Sequence, residues 1–576
     1  MKCVNGFALS SIAFAVLGTT SVQVWAGDGP ERTARMFHAQ PLAHQVVRHN
    51  ALLTSSGDPG DDDTAISLNP SLSALCQSTI GQLNLYQPTG RNVDQISGDT
   101  VVSAGTQTGC GAAQNETTIA VNPRNPANLV GGTNDYRLFN TREGRNDGSG
   151  WAYATFDGGH TWRDVQLPHL TYQTGATGAL SDMDSAGDPA VAYGGDGSVY
   201  YANLVFSRLN NASGVVVNVS HDGGLTWSEP SIVHTDGVDS SGNSLATGVF
   251  NDKEWITVDP HSGAVYVTWT SFLPDGTSPI TVSRSDDGGQ TWSTSAYVNP
   301  ASSFAPGGVT PYSSGSNPQV GRDGKLYIAY ESAVCATLAC DQPTDHDEVV
   351  VATSADGGQT FSNAAVAVDY DFPYNADVGR STLTGENFRI NSFPQMAIDR
   401  STDALYVTWA DDRNGLYDAS GNSIKTNGDV LVVASRDGRH WGNVQTVGTA
   451  ADEVYPAIAA HDDHVAVSFY TRVYDSAGIG LDFAYVQADE RGRLSGAQLK
   501  RITTQTANPQ TQFVGIGAVT GAVLQGVFIG DYTGAAMGRD GVFHPSWTDF
   551  RGHPGVTSPN QDAYTQEIRP AERGDH

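Results

Sequence analysis

The chain has 576 residues, more than one ordinary compact core accommodates, and asks for several domains or a repeat architecture. Its 61 Asp and Glu against 31 Lys and Arg give a net charge of −30, which argues against nucleic acid or an anionic membrane surface as partner. With 65 Gly and short runs of β-branched and aromatic residues between turn signals, the composition is that of an all-β protein.

Residues 1–26 read as a secretory signal: Lys2, the apolar stretch "FALSSIAFAVLG", and small residues ending at Ala26. The apolar stretch is too short to span a bilayer, so the expectation is an exported, soluble monomer with no membrane span. Residues 27–110 are polar and weakly patterned, with the acidic run "GDPGDDD" at 57, and read as an irregular N-terminal extension. Beyond the signal, Cys76, Cys110, Cys335 and Cys340 suit two disulfides, Cys335 with Cys340 as the local pair and Cys76 with Cys110.

From 111 to 570 the chain repeats itself, leaving 571–576 as a tail. Seven stretches, beginning "ETTIAVNP" at 116 and ending "YTGAAMGRDGVFHPSW" at 532, are each a strand, a Gly, Asp, Pro or Asn turn, and a second strand. A third strand then leads into a recurring turn: "TFDGGHTW" at 155, "SHDGGLTW" at 220, "SDDGGQTW" at 285, "SADGGQTF" at 354, and the shortened "SRDGRHW" at 435. Its Asp recurs after 65, 65, 69 and 81 residues, at Asp157, Asp222, Asp287, Asp356 and Asp437. Four-stranded units at that spacing bury their faces on one another when stacked around an axis, which predicts a β-propeller of seven blades, with six as the alternative. The seventh blade lacks a fourth strand, and "DTVVSAG" at 99–105 is the candidate to supply it and close the ring.

The recurring turn is the Asp-box, and the chain resembles the sialidase-like Asp-box (BNR repeat) β-propeller superfamily over roughly 111–570. The box Asp reads as an acceptor for turn N–H groups rather than a catalyst. Strands alternate direction, so all boxes point to one face, and the chemistry is expected on the other.

That other face collects the ends of strand two, "NDYR", "ADDR" and "TDFR", and the starts of strand one, "DKE", "NFRI", "DEVY" and "GDY". Arginine there suits bidentate binding of a carboxylate; paired with Asp, it equally suits scaffold. Resemblance to sialidases implies an arginine cluster on the substrate carboxylate, here Arg137, Arg389, Arg413 and Arg551. It further implies Tyr532 as nucleophile, with Tyr455 behind it, Glu254 as its base, and Asp135 as the acid. "FRIN" at 388 departs from the family's Phe/Tyr-Arg-Ile-Pro motif, and it stands before the fifth box rather than the first. Asp182, Asp184 and Asp188 in "SDMDSAGD" are oxygen donors suited to structural calcium, with a solvated acidic loop as the alternative; no cofactor is required. Two functions stay open: an exported sialidase-like glycoside hydrolase acting on an acidic sugar, and a non-catalytic propeller binding glycans or proteins.

Overall fold

A computed structural model describes residues 91–96 and 113–570, apart from 143–144, 301–308, 341, 343, 420–421, 489–492 and 553–559. The signal segment, most of the N-terminal extension, the Cys76–Cys110 pair and the tail lie outside the described residues.

Seven four-stranded antiparallel sheets surround an axis, each meandering outward from an inner first strand. The blade count is therefore seven rather than six. The packing explains the sequence pattern. Middle strands are covered on both faces by adjacent blades, so they read as near-continuous apolar runs: Ser213–Ser220 of the second blade is buried throughout. Several outer strands are short, as with Ala296–Tyr297 and Lys500–Arg501. The long spacing before Asp437 has a cause. The fifth blade is preceded by a loop carrying the ladder of Tyr374–Asn375 with Arg380–Ser381, and a small hairpin, Leu416–Tyr417 with Ser423–Lys425, is inserted between its second and third strands.

The ring closes through the seventh blade. Its strands Gly534–Met537, Phe543–Asp549 and Asp562–Thr565 are completed by Val93–Asp94, paired as Val93 to Thr565 and Asp94 to Tyr564. This segment takes the place expected for 99–105, which lie outside the described residues. Its neighbour Asn92 ties the closure to the sixth blade by donating to the Ile502 carbonyl at 3.0 Å.

The Asp-box turns are alike in atomic detail. Asp157 Oδ1 accepts from the His160 and Thr161 N–H at 3.0 and 2.9 Å, and its Oδ2 accepts from the Thr161 hydroxyl at 2.6 Å. Thr155 donates to Asp157 at 2.8 Å and accepts from the Gly159 N–H at 3.2 Å. Gly158 and Gly159 take φ of 77° and 94°, which only glycine adopts without strain. In the shortened fifth box the His440 ring nitrogen, 2.6 Å from Asp437, replaces the missing hydroxyl. These hydrogen bonds lower the box carboxylates, Asp287 to about 2, led by the Thr291 hydroxyl; ionised acceptors of this kind hold turns and have no proton to give. Trp162 is fully buried beside its box.

Candidate functional site

Five first strands break register near the face opposite the boxes, and the residue at each break has positive φ: Glu116 (54°), Asp188 (51°), Lys253 (54°), Gly315 (66°) and Tyr455 (51°). Four of the five are not glycine, a conformation that costs on the order of 1 kcal/mol each and persists where packing overdetermines it. The bulge is thus a repeated device at the mouth of the ring, and three of its residues meet there.

Lys253 is the centre. Its ammonium lies 2.7 Å from Asp531, 3.0 Å from Asp188 and 3.4 Å from Glu116. Asp531 is also held by Arg389 in a bidentate pair, 2.7 Å from Nε and 2.6 Å from Nη2. The Asp531 N–H donates to Glu116 Oε1 at 3.0 Å, and Asn134 donates to Glu116 Oε2 at 2.9 Å while accepting from the Asp188 N–H at 2.7 Å. The third, second, first and seventh blades are joined in one network, with Arg389 reaching in from the loop before the fifth. Arg389 is its most exposed side chain, at 19%, against 9% for Lys253 and Asp188 and 3% for Asp531.

Charge is distributed unevenly. Burial, followed by Asp188, raises Glu116 well above the ordinary carboxyl range. Burial alone would raise Asp531 too, but Arg389 and Lys253 override it and keep that carboxylate ionised. Desolvation would lower Lys253, yet Asp188, Asp531 and Glu116 hold it well above its usual value. Three carboxyl groups thus face one ammonium and one guanidinium. Behind it, a cavity of about 220 Å³ runs along the first strands, lined by Thr118, Trp255, Asn317, Gln395 and Thr533, with Arg400 as its charged residue.

The four candidate arginines do not converge. Arg137 is fully buried, paired with Asp135 (2.7 Å) and Asp164 (2.6 Å) and stacked 3.9 Å from the Trp151 ring. Arg413 and Arg551 make the same turn-back onto the Asp two residues earlier, Asp411 at 2.5 Å and Asp549 at 2.7 Å. All three are Asp-x-Arg clips, and two of them also tie adjacent blades together, Arg413 donating to the Val368 carbonyl of the fourth blade at 3.1 Å and Arg551 to the Thr504 hydroxyl beside the sixth at 2.7 Å. Asp135, caught in such a clip, is fully buried and away from the mouth cluster's ion pairs. Only Arg389 belongs to the cluster.

Tyr532 and Tyr455 lie beside the network but are hydrogen-bond donors, Tyr532 to the Pro189 carbonyl at 3.2 Å and Tyr455 to the Arg389 carbonyl. Burial, and then Glu116, push the Tyr532 hydroxyl far above its ordinary value. Glu254 is 1% exposed with neither carboxyl oxygen hydrogen-bonded, burial raises it strongly, and it makes no hydrogen bond to Tyr532. Asp182, Asp184 and Asp188 are not gathered. Asp182 and Asp184 share Arg142, the latter at 2.9 Å, whereas Asp188 faces Lys253. Glu116 escaped the sequence reading. Its signal was positional: it opens the first strand of the first blade where Lys253 and Tyr455 open theirs.

No protein-family model matches the chain, and no curated protein sequence matches it. Solved structures resemble it distantly. A protein of unknown function from Dyadobacter fermentans is 14% identical over 67% of this chain and 95% of its own, with a TM-score of 0.41. A Hadza microbial sialidase is 14% identical over 73% of each chain, with a TM-score of 0.39. Penicillium chrysogenum alpha-L-arabinanase, complexed with arabinobiose, is 11% identical over 66% of this chain and 93% of its own, with a TM-score of 0.40.

Proposed function

We propose that the axial mouth is the active centre of a glycoside hydrolase, with Glu116 as proton donor, Asp531 as the ionised carboxylate and Asp188 beside them. The observation that carries this reading is the opposite displacement of two carboxyl groups around one ammonium, Glu116 raised by burial and Asp531 lowered by Arg389 and Lys253. Environments that drive neighbouring carboxyl groups apart in this way supply an acid and a base to glycosidic cleavage at one pH. Arg389, the most exposed member, is the group a carboxylate-bearing sugar would meet first, in competition with Asp531. A sialidase-type tyrosine route has less support, because Tyr532 lacks a hydrogen-bonded base. The Cys335–Cys340 disulfide accords with an exported protein.

A panel of fluorogenic sialosides, uronides and arabinofuranosides tests the reading. Glu116→Gln should lower turnover at least about 100-fold, in the range of general acid catalysis, while Tyr532→Phe retains it. The reverse order of effects would return the case to the tyrosine nucleophile. Absence of turnover on every substrate would favour the second reading, a glycan-binding propeller without catalysis. That reading has its own support in Arg137, Arg413 and Arg551, each held by the Asp two residues earlier instead of converging on the axis.

A further inference from the structure

A second acidic cluster lies in the fourth blade, apart from the axial network. Glu331 lies on the second strand (Leu326–Val334), Asp347 opens the third (His346–Ser354), Asp369 ends the fourth (Ser362–Asp369), and Asp371 follows it. The ladder puts the first three on one side of the blade. Asp347 is paired with Ala333, two residues from Glu331 on the same side, and directly with Asp369 on its other flank. Like charges set opposite each other destabilise a sheet. Here they are also dehydrated: Glu331, Asp347 and Asp369 are 3%, 1% and 2% exposed.

Asp347 and Asp371 lie close enough to share a proton. As carboxylates, both Asp347 oxygens and Asp369 Oδ2 are buried with no donor facing them. Arg413, the guanidinium closest in charge to Asp369, directs its hydrogen bonds to Asp411 and the Val368 carbonyl. Buried carboxyl groups gathered in this way avoid the cost of unpaired charge by sharing protons or by binding a cation. The geometry fits one. Oxygen atoms of Glu331, Asp347 and Asp371 all lie within 4.8 Å of one another. Ligands of a single Ca²⁺ at about 2.3–2.6 Å are separated by at most roughly 5 Å. The donors are carboxylate oxygens alone, with no imidazole or thiolate, which selects a hard cation.

We propose that Glu331, Asp347 and Asp371 form a calcium site, with Asp369 alongside, that ties the second, third and fourth strands of this blade to the loop leading into the fifth. The site is separate from Asp182, Asp184 and Asp188 and independent of any activity at the axis.

Thermal unfolding of the full-length protein, stripped with EDTA and desalted, tests it. Millimolar CaCl₂ raises the wild-type midpoint by several degrees and leaves Asp347→Asn and Glu331→Gln unmoved. Without calcium both variants unfold at or above the wild-type temperature, because the amide relieves carboxylate repulsion. Tb³⁺ alone is the second probe and needs only a fold-neutral change. Tyr370, between Asp369 and Asp371, sensitises its emission; Ca²⁺ displaces the signal, and Tyr370→Phe lowers it several-fold. A wild-type midpoint indifferent to Ca²⁺, an equal shift in wild type and both variants, or Tb³⁺ emission unchanged in Tyr370→Phe overturns the assignment.

Discussion

Lys253→Met removes the one ammonium shared by Asp531, Asp188 and Glu116 at 2.7, 3.0 and 3.4 Å. The wild-type cluster sets three carboxyl groups against two cations. The variant keeps Arg389 alone, and a carboxylate is left buried without compensation. Burial then favours its protonated form, and the loss near pH 7.5 is about 3–5 kcal/mol, the range for breaking one side of a buried ion pair. The sign follows from linkage: a carboxyl whose folded pKa lies above its unfolded value binds its proton more tightly when folded. The penalty is therefore nearly absent at pH 4, where the unfolded chain is protonated too, and grows as pH rises towards 7. Urea denaturation of wild type and variant at pH 4.5 and pH 7.5 reads it directly. A loss equal at both pH values, or below about 1 kcal/mol at pH 7.5, refutes the electrostatic account of the mouth.

Asp157→Ala should cost about 1–2 kcal/mol, the usual scale for a side chain that caps turn N–H groups, and should leave any glycosidase rate unchanged; a large loss of activity with intact stability would make the box part of the chemistry. Burial, and then Asp429, raise Glu453 to about 8, so the folded protein keeps this proton where the unfolded chain has lost it. Wild-type stability from this group is complete below about pH 4.5 and declines as pH rises through 8. Glu453→Gln should therefore gain on wild type by a few kcal/mol between pH 5 and pH 8, and denaturation midpoints that move in parallel across that range would contradict it.

Much of the scaffold was legible because its determinants are local. A turn needs Gly at positive φ and an acceptor for its N–H groups, and "DGGHT" states both within five residues. Recurrence of that turn predicts the blade, and blades with two apolar faces predict the ring. The Asp-x-Arg clips at Asp135–Arg137, Asp411–Arg413 and Asp549–Arg551 are local too, although recurrence on one face made those arginines resemble a converging set.

Three outcomes required the closed ring. Closure uses Val93–Asp94, a two-residue strand too short to carry a pattern of its own, and its identity depends on what the seventh blade's open edge meets. The axial network draws on Glu116, Asp188, Lys253, Arg389 and Asp531, scattered over more than 400 positions and brought within one ammonium's or guanidinium's reach by five separate approaches to the axis. Glu331 and Asp347 share a side of one blade through strand register, and Asp371 joins them from the loop after the fourth strand, which spacing in the chain does not express. The amino-acid sequence determined the all-β repeat, the box turns and the face to which they point, since each rests on contacts within a few residues. Which charges face each other at the axis, and which carboxyl keeps its proton there, was decided by the tertiary structure, because burial and long-range pairing arise only once the ring has closed.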